Sequence, residues 1–323
     1  MARPTLLITR PLPQPVFQAA QEVCDVIMCP ENLPFSEDAI AMALVEHDAI
    51  LPTLGDRLTR AAFDAARRPK CRLIANFGVG FNHIDIAAAE ARGISVTNTP
   101  GAVTDATADI AMTLILMTAR RAGEGERLVR SGQWGGWHPT QLLGRHIGGK
   151  TLGIVGMGRI GRAVARRAYF GFGMKIVFFN RSSVQDCGIP GAQQVDRLEL
   201  LFAQSDFISV NVPGGAENRH LISADILRAA RPGSILVNTA RGDVIDEQAL
   251  IEALETNMLS GAGLDVYEHE PQVPTALRRL ENVVLLPHLG TNSLAVRTQM
   301  GLMAVDNIRA FFSGQKPPNL IRT

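Results

Sequence analysis

Residues 151–168 read TLGIVGMGRIGRAVARRA. The apolar run Leu152 to Val155 leads into Gly156, Gly158 and Gly161, and then into a segment with helical spacing. A strand, a tight glycine turn and a helix in that order form the context in which Gly-x-Gly-x-x-Gly binds a dinucleotide. Gly156 permits the turn, Gly158 admits a pyrophosphate close to the backbone, and Gly161 lets the helix lie on the strand. Arg159 and Ile160 complete the turn. The unpaired N–H groups at the helix start and their partial positive charge suit phosphate. Without a ligand, the same residues would make an ordinary strand-to-helix turn.

Downstream, KIVFFN reads as the second strand of this unit. At its end, where a carboxylate ordinarily holds the ribose 2′-hydroxyl, stands Asn180, followed by Arg181, Ser182 and Ser183. A carboxylate there would repel a 2′-phosphate, whereas a guanidinium and hydroxyls bind one. The expected cofactor is therefore NADP(H), with NAD(H) as the alternative.

The remainder of the chain extends this alternation in both directions. LLITR, VIMC, DAILPT, RLIANFG and ISVTN read as strands in the first hundred residues, with helices between them. After residue 150, LGIV, IVFFN, DFISVNV, SILVNTA, SGAGLDV and VVLLPHLG give an expected six-stranded sheet. Strands alternating with helices predict α/β architecture with two doubly wound parallel sheets. Thr104 to Arg130 reads as one long helix with Ile110, Leu114 and Met117 on its apolar face. Ser293 to Phe312 reads as a final amphipathic helix returning to the first domain, and GQKPPN as a tail. The expected domains are 1–100 with 290–323 for substrate, discontinuous, and 101–289 for the dinucleotide.

Composition narrows the classes of function. The 323 residues carry 32 Lys+Arg against 31 Asp+Glu, a net charge of +1. No basic run supports nucleic-acid binding. The start MARPTLLITRPLPQPVF does not resemble a cleavable signal, and the apolar stretch from Ile110 to Ala119 is too short to span a bilayer. Cys24, Cys29, Cys71 and Cys187 lack metal-ligand spacing and suit reduced thiols in a cytoplasmic protein. The expectation is a cytoplasmic enzyme without metal, nucleic-acid or membrane partners.

In open α/β sheets, ligands sit beyond the carboxyl ends of the strands. Three consecutive strands are followed there by Arg241 in ARGDVID, by Asp265 and Glu270 in LDVYEHEP, and by His288 in PHLGTN. A carbonyl that takes up a hydride gains negative charge on its oxygen. An imidazole, which ordinarily titrates near neutrality, can protonate that oxygen. Glu270 can fix the ring's tautomer, and Arg241 can hold a carboxylate and stabilise the oxyanion. Taken singly, each has an ordinary reading as a surface ion pair or loop residue.

GMGRIG, NTARGDVID, GLDVYEHEP and LPHLGTN, together with NFGVGFNHID and TNTPGAVTDATAD, resemble the D-isomer-specific 2-hydroxyacid dehydrogenase family. The resemblance covers nearly the whole chain. It implies a Rossmann nucleotide domain inserted into a flavodoxin-like substrate domain. It also implies that Arg241 binds substrate and that Glu270 partners the acid/base His288. Asp265 then holds the nicotinamide amide, Thr107 and Gly290 face the cofactor, and Thr239 and Ala240 line the nicotinamide pocket. Val79 and Gly80 receive the substrate carboxylate, and Leu54 and Phe77 shape its pocket. The WGGW pair, Trp134 and Trp137, with the NRSS turn, is most similar to the glyoxylate/hydroxypyruvate reductases. In these a homodimer arm brings the residue at Trp137 into the partner subunit's site. The loop NVPGGAENRHLI departs from the family pattern at Gly214–Gly215, and PHLGTNS departs from it beside His288. The reading is NADPH-dependent reduction of a small 2-keto acid, glyoxylate or hydroxypyruvate. The alternatives are a sibling acting on D-lactate, phosphoglycerate or longer keto acids, and a nicotinamide-sensing corepressor-like scaffold.

Overall fold

The computed structural model describes residues 3–321, so the outermost residues of the expected substrate domain, 1–2 and 322–323, lie outside it. The chain divides into two compact units, one running to Val103 and resuming at Asn292, the other spanning Thr104–Thr291.

The first unit alternates β1 (Thr5–Ile8), α1 (Gln14–Val23), β2 (Asp25–Met28), α2 (Glu37–Glu46), β3 (Ala49–Leu51), α3 (Arg60–Ala65), β4 (Leu73–Ala75), α4 (Ile86–Glu90) and β5 (Ser95–Thr97). Among the described residues its strands form one parallel sheet in the order β2-β1-β3-β4-β5. Leu7, Ile50 and Ile74 pack against α2, α3 and α4 on one face. Leu6, Ile8, Leu51 and Leu73 pack against α1 and the C-terminal helix on the other. Burial on both faces explains why β1, β3 and β4 read as unbroken apolar runs rather than alternating ones.

The second unit runs α5 (Thr104–Ala119), α6 (Ala122–Arg130), β6 (Thr151–Val155), α7 (Arg159–Phe172), β7 (Lys175–Phe179), β8 (Gln193–Val195), α8 (Leu198–Gln204), β9 (Phe207–Val210), α9 (Ala224–Arg228), β10 (Ser234–Asn238), α10 (Glu247–Glu255), β11 (Leu259–Leu264), α11 (Thr275–Arg279) and β12 (Val283–Leu285). Its sheet is parallel, in the order β12-β11-β10-β9-β6-β7-β8. Helices α5 and α7 cover one face and α8 to α10 the other. The chain reverses direction of travel between β6 and β9, the switch point where open α/β sheets bind ligands.

Three expectations need correction. The second sheet has seven strands among the described residues, not six. The missed strand, β8, is three residues long, polar (Gln-Gln-Val) and at the sheet edge, so it carries no apolar signal. The long helix breaks between α5 and α6, where Arg121 adopts φ +53°; a left-handed non-glycine residue ends the helical run. Helix α5 is also buried well beyond one stripe, through Ala108, Ala111, Met112, Leu114 and Ile115, and Ile110 and Met117 are only partly buried. The third correction concerns the tail: Ile321 N donates to Val96 O, Leu320 bridges Thr97, and Asn319 N donates to Asn307 Oδ1 at 3.0 Å. Asn307 belongs to α12 (Leu294–Phe312), whose Ala304, Val305 and Ile308 complete the core under β1 and β4.

Candidate active site

The glycine turn closes as its sequence requires. Gly156, at φ +93°, takes a conformation that favours glycine, and its N–H donates to Phe179 O at the end of β7. A Cβ on Gly161 would overlap the Gly156 carbonyl, so the close packing of α7 on β6 depends on its absence. Gly158 differs. A Cβ there would meet nothing within 4 Å, so the protein's own packing does not call for glycine. Open space at the start of α7, beside the N–H groups of Arg159 and Ile160, fits a dinucleotide pyrophosphate.

The turn after β7 is held in shape by its own side chains. Asn180 Nδ2 donates to Ser182 O and Oγ at 3.0 and 3.1 Å. Gln194 on β8 donates to the carbonyls of Asn180 and Ser182 and accepts from Val184 N. Arg181 projects outward from this turn and pairs with Glu217 at 2.7 Å.

On the adjacent strands β10, β11 and β12, the polar residues past the carboxyl ends come together. Asn238, the last residue of β10, accepts from Ala240 N at 2.9 Å and donates to Arg241 O at 2.8 Å, shaping the bend that presents Arg241. The next residue is Gly242, where a Cβ would overlap the Tyr267 backbone. That close approach seats the Arg241 bend against the loop carrying Glu270. Burial lowers the pKa of the Arg241 guanidinium, while the charges of Glu270 and Asp243 raise it. A guanidinium remains cationic in either case.

His288 Nδ1 and Glu270 Oε2 lie 2.9 Å apart. Glu270 Oε1 accepts from Tyr267 N at 3.1 Å, and the buried Tyr267 hydroxyl donates to Leu286 O at 2.9 Å, tying the β11 and β12 loops together. His288 itself sits at φ +57°, a left-handed position costing about 1–3 kcal/mol and held only where surroundings over-determine it. Here they do. Its N–H donates to Asp265 O at 2.9 Å, and the Asp265 carboxylate accepts from Leu289 N and Gly290 N at 2.6 and 2.8 Å. Asp265 is completely buried; that burial raises its pKa, against the pull of those amides and of His288. Thr107 on α5 donates to Gly290 O at 3.1 Å and pins the other end of the same loop.

Burial alone would raise the Glu270 carboxyl, but the His288 hydrogen bond and charge, the Tyr267 amide and Arg241 hold it below the usual carboxylate value. A carboxyl with a depressed folded pKa adds stability that is complete above its unfolded value, about 4.3. That stability is lost as pH falls through the lower folded value. Wild type is therefore expected to melt above Glu270→Gln at pH 6, with the margin shrinking below about pH 4. A difference in Tm independent of pH would contradict an ionised Glu270.

The other expected site residues fall in three places. Thr239 and Ala240 lie in the β10 bend, and the buried Thr239 hydroxyl has no hydrogen-bond partner among the described residues, as suits a residue facing a cofactor. In the first unit, Gly78 O accepts from Thr99 N, Val79 O from Asn98 Nδ2 at 2.8 Å, and Gly80 O from Asn76 Nδ2 at 3.1 Å. Because peptide planes are trans, holding the first two carbonyls turns the N–H groups of Val79 and Gly80 the opposite way. Leu54 follows β3 beside Thr53, which bridges Phe77. Trp137 is 79% exposed. Sequence reasoning missed Asn238, Gly242 and Tyr267 as positioning residues. Only the glycine directly beside Arg241 offered a signal.

Comparison with known proteins identifies what the chain is similar to. Residues 112–290 match the family model described as D-isomer specific 2-hydroxyacid dehydrogenase, NAD binding domain. The chain is 42% identical to a glyoxylate reductase of Thermococcus kodakarensis, over 99% of this chain and 96% of the relative. A glyoxylate reductase structure from Paecilomyes thermophila superimposes with a TM-score of 0.87 at 34% identity, covering 99% of both chains. The NADPH-dependent glyoxylate/hydroxypyruvate reductase of Sinorhizobium meliloti, solved with NADP and malonate, gives 0.86 at 33% identity, covering 99% of this chain and 97% of that one.

Proposed function

The chain belongs to the D-isomer-specific 2-hydroxyacid dehydrogenase family, and we propose that within it the protein reduces glyoxylate and hydroxypyruvate with NADPH. The observation that carries this reading is the placement of Arg241, Glu270 and His288 beyond three adjacent strands, with Nδ1 of His288 engaged by Glu270. That hydrogen bond commits one ring nitrogen and leaves Nε2 to donate a proton to the carbonyl oxygen. Arg241 stabilises the charge that develops there. The amides of Val79 and Gly80 receive the substrate carboxylate, and Leu54 bounds the small substituent. When bound, the nicotinamide supplies the hydride. Gly156, Gly158, Arg159, Ile160 and Gly161 hold its pyrophosphate, and Asn180, Arg181 and Ser182 its 2′-phosphate. Thr107, Thr239, Ala240, Asp265 and Gly290 surround the nicotinamide end.

The exposed indoles of Trp134 and Trp137 lie in a segment, residues 131–140, that is solvent-exposed throughout. Large aromatic rings left on a surface favour a partner, and we assign them to a homodimer in which Trp137 reaches the partner subunit's site. Free cysteines support a cytoplasmic setting: burial pushes the Cys24 thiol up to about 11 and the Cys71 thiol up to about 12, keeping both unreactive. Among the described residues no helix is long and apolar enough to cross a membrane.

A steady-state panel of glyoxylate, hydroxypyruvate, pyruvate and phenylpyruvate against NADPH and NADH tests the reading. The highest kcat/KM is expected for the first two substrates with NADPH. A preference for phenylpyruvate, or for NADH, would overturn the corresponding part.

A further inference from the structure

The turn after β7 meets, on the surface of the second unit, the loop in which the sequence departs from the family pattern. Arg181 Nη1 donates to Glu217 Oε2 at 2.7 Å. Glu217 lies in a short 3-10 turn, Ala216–Asn218, directly after Gly214 and Gly215. That loop is anchored. Gly215 N donates to Asp243 Oδ2 at 3.1 Å, His220 N donates to Asp243 O at 2.8 Å, and Asn218 Nδ2 donates to Pro213 O at 2.9 Å. The β7 turn is fixed independently by Asn180, Ser182 and Gln194. Two separately held loops thus bring a carboxylate onto the guanidinium. The end of β7 has Asn180 where a carboxylate would ordinarily discriminate between the two dinucleotides. A carboxylate reaches the same neighbourhood from elsewhere in the chain.

We propose that Glu217 is a cofactor-selectivity residue that competes with the 2′-phosphate for Arg181 and so moderates the preference for NADPH over NADH. The proposal rests on Arg181 as the 2′-phosphate partner. A 2′-phosphate at Arg181 must share the guanidinium with the Glu217 carboxylate, which occupies Nη1, and lies close to that like charge. The neutral ribose hydroxyl of NADH meets neither cost. Both side chains are largely exposed, at 66% and 79%, so water screens the pair and the effect is modest. An exposed pair of this kind corresponds to about a threefold change in affinity.

The test is isothermal titration of NADPH and of NADH into wild type, Glu217→Gln and Arg181→Ala at low ionic strength. Glu217→Gln keeps the side-chain shape and removes the charge. It is expected to tighten NADPH about threefold while NADH stays within twofold, the gain fading as salt screens the pair. NADPH tightening of less than twofold, or an equal change for NADH, overturns the role of Glu217. Arg181→Ala separates the two claims, and is expected to weaken NADPH about tenfold and spare NADH. If Arg181→Ala weakens NADPH but Glu217→Gln changes nothing, the 2′-phosphate reading stands and the Glu217 proposal falls. If Arg181→Ala leaves NADPH binding unchanged, both fall.

Discussion

Replacing His288 with alanine is expected to lower kcat for keto-acid reduction roughly a thousandfold, within the range a positioned acid contributes. Dissociation of NADPH should change by less than about twofold, because the residues assigned to the pyrophosphate lie in the turn after β6 and at the start of α7. The β12 loop should survive, since Asp265 holds it through the amides of Leu289 and Gly290 rather than through the imidazole. Transient kinetics separates the two quantities: cofactor binding stays fast while single-turnover oxidation of NADPH slows. A His288→Ala enzyme with kcat within tenfold of wild type would remove the proton-donor assignment.

The second large effect is expected at Arg241. Its bend is built by Asn238 and by the contact of Gly242 with the Tyr267 backbone, so the guanidinium is presented from a rigid seat. Removing one preorganised group that stabilises an oxyanion costs roughly 100- to 1,000-fold in turnover. Arg241→Ala should lower kcat/KM by at least that much if, as proposed, the guanidinium meets the substrate as well as the developing charge. Arg241→Lys should recover only a minor part, since a single ammonium keeps the charge but loses the planar fork. If the lysine variant matched wild type, Arg241 would be acting as a point charge only. If the alanine variant did so, it would have no part in the reaction.

Both predictions concern candidate residues that stand out in the sequence, for a physical reason. Parallel strands buried on two faces announce themselves as apolar runs, and their carboxyl ends are where such sheets bind ligands. Polar residues just past those runs, Arg241, Asp265 and His288, could therefore be picked out by position alone. Features depending on distant contacts could not. Strand β8 is polar because it lies at an edge, and nothing local distinguishes Gln-Gln-Val from a loop. The break at Arg121 rests on one left-handed residue in a stretch of good helical spacing. The contact of Gly242 with Tyr267 joins loops after two different strands, and the pairing of Arg181 with Glu217 joins positions thirty-six residues apart. Spacing within a motif does not record what folds against it.

The proposed reaction delivers a hydride from NADPH and a proton to the carbonyl of a small 2-keto acid. Product analysis by NMR and chiral chromatography, run alongside NADPH oxidation, tests it most directly. The expected result is one glycolate per NADPH consumed from glyoxylate, and one D-glycerate per NADPH from hydroxypyruvate. Oxidation of NADPH without the hydroxy acid, or formation of L-glycerate, would contradict it.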